Sequence, residues 1–506
     1  MSKPRVLTSE FVPPPIDGLN LVTPPPMMRT TEALELLNYY IYDHGIRQVN
    51  EATLENTFDE PIGSIYPYIA STGGGFLMVF TSTKSHLWNV ETGVVVSTET
   101  GLNGSDWNVN EFNDKIFSYS NTGVDTPQVN AGSSMTSAGW TGPADPKNLC
   151  QGWNYKFRQY AIERGTSSVW YVSGAAGVGA ITGALTELDL STSMITTSTL
   201  LFGAAWSYNQ GLSNDELFVL VWANGDIAIY SGDNPDAANW TLVTRSSIPR
   251  PLSRKSFTKV GQDILIATNR GTVSLKAVFA GSPGRGSDYY ITSRNLGGVA
   301  FGSTEVAFNR DAPFLYFSQA LEAGVSFATG GIFVLNYERG AWSKIGFPGI
   351  DTCTAIAWAP IGNTGGLFFV GDNDGKLYAV GDYGAEDVVL GAGDTMQYRW
   401  KTPFLDFGTN LTKHSKFIRL LVRVKDATSD TARATVYPYT DFEAVDDFDS
   451  ASEAVTVTAG TDTYSTLELS AGNVGKRLGY HFLQTGDGEI NEIIGFDAFY
   501  EVGGCE

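Results

Sequence analysis

The chain has 506 residues but only three cysteines, Cys150, Cys353 and Cys505. They are far apart, odd in number and free of CxxC spacing, which excludes a disulfide framework or a cysteine-built zinc site. They read as two small core residues and one tail thiol. Basic residues are also scarce: 33 Lys and Arg stand against 54 Asp and Glu, a net charge of −21. Such a field repels phosphate, so tight sequence reading of DNA is excluded, while a wall that DNA merely passes is not. The four histidines, His44, His86, His414 and His481, lie away from cysteine or carboxylate at ligand spacing. Each reads as a turn or surface residue before a metal ligand. No stretch approaches the roughly 18 apolar residues of a membrane helix, and the opening MSKPRVLTSEFVPPP lacks the apolar core of a signal peptide. The expectation is a chain with no membrane span, made and folded in cytosol.

What the chain has is glycine and strand formers: Gly 56, aromatics at 12%, and only 17% charged residues. That is the profile of many short strands joined by tight turns. Its length exceeds the ~250–300 residues at which one core stops growing, unless a closed ring spreads the core among repeated units. Seven hairpins support the second solution. They start near Gly74, Asn113, Tyr155, Asp215, Gly261, Pro313 and Leu367. Asn224-Gly225 and Asp374-Gly375 supply the positive φ that type I′ or related turns need. One hairpin cannot bury its apolar face alone, and units recurring every ~40–50 residues match the blade period of a β-propeller. The unequal spacing lets two hairpins share a blade, so six blades are preferred, with seven as the alternative.

The ends differ. Residues 1–64 read as an extended docking segment, with Pro24-Pro25-Pro26 enforcing an extended run and Tyr39, Tyr40 and Tyr42 marking a strand before the turn at Asp43-His44-Gly45. Residues 65–385 hold the repeats, and Ala385–Asp394 reads as a linker. Residues 386–506 then show short alternating strands, the pattern of an antiparallel β-sandwich. Between Lys416 and Lys425, Ile418, Leu420, Val422 and Val424 alternate with Arg419, Arg423 and Lys425, one face for core and one for solvent or partner. The fold class expected is all-β: a propeller plus a platform-like C-terminal sandwich, with N-terminal strands docked on it.

Several stretches could carry chemistry. Asp372-Asn373-Asp374-Gly375 resembles the start of a calcium loop, but the following Lys, Leu, Tyr, Ala and Val lack the oxygen ligands, so a hairpin turn is the better reading. Ser231–Trp240 resembles an aspartate box, with Pro235 where Gly belongs and Trp240 two residues late. Ser173–Ala180 is glycine-rich without the Lys-Ser/Thr of a phosphate loop. Arg250–Lys259 is the one basic cluster, read as ion-paired before phosphate-binding. Asn239-Trp240-Thr241 matches a glycosylation sequon that a cytosolic route leaves idle. No catalytic, cofactor-binding or metal residue is assigned, no cofactor is expected, and the chain is read as not an enzyme.

The stretches DGLNLVTPP and EALELLNYYIYDHGIRQ near the start, SSVWYVSGAAGVGAITGALTELDLS from Ser167, the run from Gly225 to Leu275, and NYERGAWSKI with GLFFVGDNDGKLYAVG resemble the tail nozzle, or tail-tube B-type, proteins of short-tailed bacteriophages. The resemblance implies a virion structural protein, assembled in the host cytoplasm into a homohexameric ring at the distal end of the tail. It also implies neighbouring adaptor, fibre or tip proteins, and genomic DNA retained and then conducted without sequence-specific binding. A glycan-binding or glycan-hydrolysing propeller is the alternative.

Overall fold

In a computed structural model the chain is almost entirely β. The structure describes residues 7–502 apart from 50–51, 70–73, 131–133, 191–197, 210–213, 281–295, 297–305, 310–311, 319–330, 348–349, 351, 362–364, 381–395, 410, 425–431, 441–453, 458–462, 469–473 and 486–489. Ala385–Asp394 and Cys505 therefore lie outside the described residues.

Each of the seven hairpins lies in a different sheet: six of the sheets are small and antiparallel, and the hairpin from Pro313 belongs to a larger one. Blade 1 starts at strand Ile62–Ile69, blade 2 at Trp107–Phe112, blade 3 at Leu149–Tyr155 and blade 4 at Leu200–Asn209. Blade 5 starts at Phe257–Val260, blade 6 at Val306–Phe308 and blade 7 at Ala355–Ile361. Neighbouring blades touch all the way round, and the first strand of blade 7 lies against that of blade 1. The propeller has seven blades, not the preferred six. Unequal spacing reflects connections of different length, and no two hairpins share a sheet.

The ring is closed by a strand from the other end of the chain. Ala52–Thr57 pairs antiparallel with Lys376–Val380 and completes the fourth position of blade 7. A strand belonging to the segment read as N-terminal docking thus holds the last blade to the first. Blade 7 therefore cannot leave the ring without breaking a long-range pairing.

The sandwich packs two sheets face to face. In one, Lys413–Val424 runs beside Ile490–Val502, placing Ile418 opposite Ala498 and Leu420 opposite Phe496. Ile418, Leu420 and Val422 are fully buried while Arg419 is exposed, the period-2 split expected from the sequence. Phe417, on the other face, stacks on Phe499 with ring centroids 4.1 Å apart. The second sheet contributes Trp400 and Phe482, stacked at 4.6 Å, with Trp400 also edge-on to Phe496 of the first.

N-terminal strands weld the two domains. Glu35–Leu37 lies between Ala341–Ile345 of blade 6 and Gln397–Lys401 of the sandwich, so one nine-stranded sheet runs from propeller into platform. Ile46–Gln48 and Leu7–Val12 pair with the last strand of the sandwich. Asn38 sits at the pivot with φ 63, in the left-handed region that Asn tolerates best among residues with a side chain. Its Nδ2 donates to Gln397 O at 2.7 Å and its Oδ1 accepts from Gly346 N at 2.8 Å, one partner on each domain. One hydrophobic cluster runs unbroken through Leu36, Tyr39, Tyr316, Val370, Trp400 and Leu420.

Asn38→Ala removes both amide bonds and leaves a β-carbon in a strained conformation, for an expected loss of about 2–4 kcal/mol in urea unfolding. Asn38→Gly keeps the backbone unstrained and should recover only the strain part. Equal stability of all three proteins would show that the pivot carries no load.

Candidate functional site

Two places concentrate polar and aromatic groups: the propeller axis and one face beside it. The axis holds cavities of about 390 and 410 Å³ walled by the first strands of the blades. A first strand has an unpaired inner edge, and side-chain amides satisfy it. Gln151 Nε2 donates to Gly203 O at 3.1 Å while Gly203 N donates to Gln151 Oε1 at 2.9 Å, so the amide imitates a missing strand between blades 3 and 4. Asn108 Nδ2 donates to Cys150 O at 2.8 Å, and Asn110 Nδ2 to Asn154 Oδ1 at 2.8 Å, joining blades 2 and 3. Gly203 has no room for a β-carbon, which would fall 2.5 Å from the Trp153 ring.

The basic cluster Arg250–Lys259 reaches this axis from blade 5. Lys255 Nζ lies 3.1 Å from Asp106 Oδ1 and donates to Ser64 Oγ at 2.8 Å, on the opposite wall. Arg254 donates to Asn121 Oδ1 at 2.9 Å. Two of its cations are thus committed to partners inside the chain, Lys255 to a carboxylate and Arg254 to a neutral amide. Lys259 opens into the lumen but is ringed by wall atoms; that confinement lowers its pKa, against the pull of Glu216.

The other stretches singled out by sequence serve turns and core. Asp372 is buried, and its Oδ1 accepts from Asp374 N at 2.9 Å and Lys376 N at 2.7 Å. Burial raises its pKa. Gly375 has φ 80, and a β-carbon there would meet Phe58 O at 2.4 Å. This is a hairpin turn that spends its carboxylate on its own backbone. In Ser231–Trp240, Trp240 stacks on Tyr230 at 5.3 Å and Asp236 accepts from Tyr171 Oη at 2.8 Å, so the turn anchors blade 4 to blade 3. Ser173–Ala180 is held to the Tyr155–Arg158 turn by Gly179 N donating to Phe157 O at 2.8 Å.

Two histidines depart from the turn-or-surface expectation, while His44 is an exposed turn residue. His86 is buried against Phe58, with Nδ1 3.0 Å from Thr98 Oγ1, and burial lowers its pKa. His481 is buried in the sandwich sheet 3.7 Å from Glu35. Both lie in strands buried on both faces, so no alternation marks them as inward. Cys150 is fully buried and Cys353 half-buried. Among the described residues no helix is long and apolar enough to cross a membrane.

The second place was not singled out by sequence. A cavity of about 830 Å³ opens across blades 1 to 4, walled by the turns at Asn113-Asp114 and Lys156-Phe157. Their φ values, 49 and 62, then 47 and 59, make both turns left-handed at two successive positions without glycine. The signal was present: only Lys156-Phe157 separates two strong strands, which leaves no room for another turn type.

No family model matches the chain, and no curated protein matches it. Among solved structures it is similar to the computationally designed Ika8 protein, at 12% identity and TM-score 0.36, over 65% of this chain and 98% of that one. It is also similar to U3-55K, at 9% identity and TM-score 0.38, over 65% and 98%. Likeness at that level carries no argument about function.

Gln151→Leu leaves the Gly203 N–H and C=O unpaired and is expected to cost about 1–3 kcal/mol in urea unfolding, against a smaller loss for the exposed control Asn373→Leu. A second expectation concerns pH. Burial pushes His481 down to about 4, against the pull of Glu35 and with help from Lys401 and Arg399. The unfolded chain takes up this proton near pH 6.5 and the folded chain only near pH 4. Stability therefore falls through that window as pH drops, by roughly 3 kcal/mol at most from this residue. His481→Gln should flatten that limb of a urea-midpoint profile; an unchanged slope would refute the assignment.

Proposed function

We propose that this chain is a non-enzymatic structural subunit of a short-tailed bacteriophage tail, a nozzle protein that forms a homohexameric ring in the virion. The observation that carries the reading is apolar surface left uncovered on ordered N-terminal structure. Leu7 and Phe11 are 51% and 50% exposed on one face of a strand with one sheet neighbour among the described residues. Leu21, Val22 and Met27 are 48%, 50% and 77% exposed nearby in sequence. Their loop is fixed, since Asn20 Oδ1 accepts from Val22 N and Thr23 N at 3.0 Å each. Apolar groups held outward in this way fit burial against another copy.

Two further features support the same reading. The propeller and platform share one sheet and one core, which suits a part that must hold its shape under load. The propeller axis is crossed by Lys255 and Asp106, so DNA would run between copies and not through a blade ring. A wall of chains each at −21 would retain little of a moving polyanion. Adaptor, fibre or tip proteins would take the remaining faces.

Light scattering and negative-stain images of purified chain are expected to show rings with interfaces above ~2,000 Å² each. Leu7→Asp with Met27→Asp should shift the equilibrium toward monomer without changing the unfolding midpoint of the monomer. A wild-type chain that stays monomeric at tens of micromolar and never joins a tail would overturn the proposal.

A further inference from the structure

The face cavity is unlike the axis in chemistry. Its rim carries three exposed apolar side chains, Ile69 at 40%, Phe157 at 71% and Val178 at 57%. Its walls carry Glu111, Asp114, Glu216 and Asp233 against Lys156 and Arg158. Arg158 is buried and turned away, donating to Val172 O at 3.0 Å. Lys156 N donates to Glu216 Oε2 at 3.1 Å, which fixes that carboxylate at the wall. The field at the floor is negative: the Tyr68 pKa is raised first by burial and further by Asp114 and Glu111. Phe157 is held in the open by a left-handed turn that costs on the order of 1 kcal/mol for a residue with a β-carbon. A strained, exposed aromatic over an acidic floor suits a ligand that is cationic and apolar side by side.

The chain itself contains such a segment. Ser2-Lys3-Pro4-Arg5-Val6, outside the described residues, places two cations around a proline and ahead of an aliphatic residue. The segment precedes strand Leu7–Val12, which pairs with the sandwich, and the sandwich joins the propeller at blade 6, whereas the cavity spans blades 1 to 4. Five residues extend to at most about 18 Å from a strand paired to the platform, and the receiver argued for is a neighbouring copy.

We propose that the face cavity receives the basic arm Lys3–Val6 of a second copy of this chain. The carboxylates Glu111 and Asp114 take the cations, and Phe157 with the aliphatic rim takes Pro4 and Val6. The inference rests on the ring proposal for its biological setting, while its binding chemistry is tested separately.

The receiver is full-length chain with Lys3→Glu and Arg5→Glu, so that its own arm cannot compete. The probe is the synthetic peptide acetyl-Ser-Lys-Pro-Arg-Val-Leu-amide, followed by calorimetry. Expected is saturable binding that weakens by about tenfold or more with Glu111→Gln plus Asp114→Asn, and that falls as salt rises. Phe157→Ala should weaken it as well, and Phe157→Tyr should restore it. No binding at about 1 mM peptide, binding indifferent to these variants, or displacement of the peptide by a neutral oligosaccharide at lower concentration would overturn the proposal. In light scattering, Lys3→Glu with Arg5→Glu should weaken rings, and adding Glu111→Lys with Asp114→Lys should restore them. Rings that ignore both changes would sink the arm and leave the ring proposal standing. A wild-type chain without rings would sink the ring proposal, and the peptide titration would still decide the cavity.

Discussion

The insertion of Glu35–Leu37 between blade 6 and the sandwich, pinned by the two hydrogen bonds of the Asn38 amide, is the constraint on which the rest of the molecule depends. A three-residue strand has almost no stability of its own. It persists because both its edges are paired and its apolar residues Leu36 and Leu37 are buried. Once it is in place, the next residues supply a hairpin to the platform and then the closing strand of blade 7. Platform, pivot and ring closure are thus made by one continuous stretch of chain, and loss of the pivot is felt in all three.

The ring places polar groups where a packed core could not. First strands present open edges to the axis, and Gln151, Asn108 and Asn110 cover them with amides that act as substitute backbone. The same geometry draws Lys255 and Asp106 together across the axis. A polar, crossed axis is a structural solution to unpaired edges. It leaves the outer faces to carry whatever recognition the chain performs, and the face cavity with its exposed Phe157 is the place where local strain and uncovered apolar surface coincide.

Turn chemistry shows both ordinary and costly choices. Gly375 alone supplies the positive φ of its turn, and Asp372 caps the turn from within. Lys156-Phe157 adopts the same handedness with no such residue. Such a turn with a bulky aromatic costs stability that glycine at the same positions would spare.

The hairpins, their approximate boundaries, the sandwich that follows and the inward face of Ile418, Leu420 and Val422 were legible because they rest on local information: period-2 alternation and the residues that tolerate positive φ. The turn at Asp372–Gly375 was legible for the same reason. Blade number was not, since whether two hairpins share a sheet depends on pairing between distant strands. Nor was the origin of blade 7's fourth strand, because Ala52–Thr57 and Lys376–Val380 are separated by nearly the whole propeller and carry no mark of each other. His86 and His481 became buried through the orientation of their strands within sheets assembled from elsewhere, and Lys255 met Asp106 only after seven blades closed. Sequence encodes the conformation of each unit because that energy is local; which units neighbour one another was decided by burial and edge pairing over the whole chain.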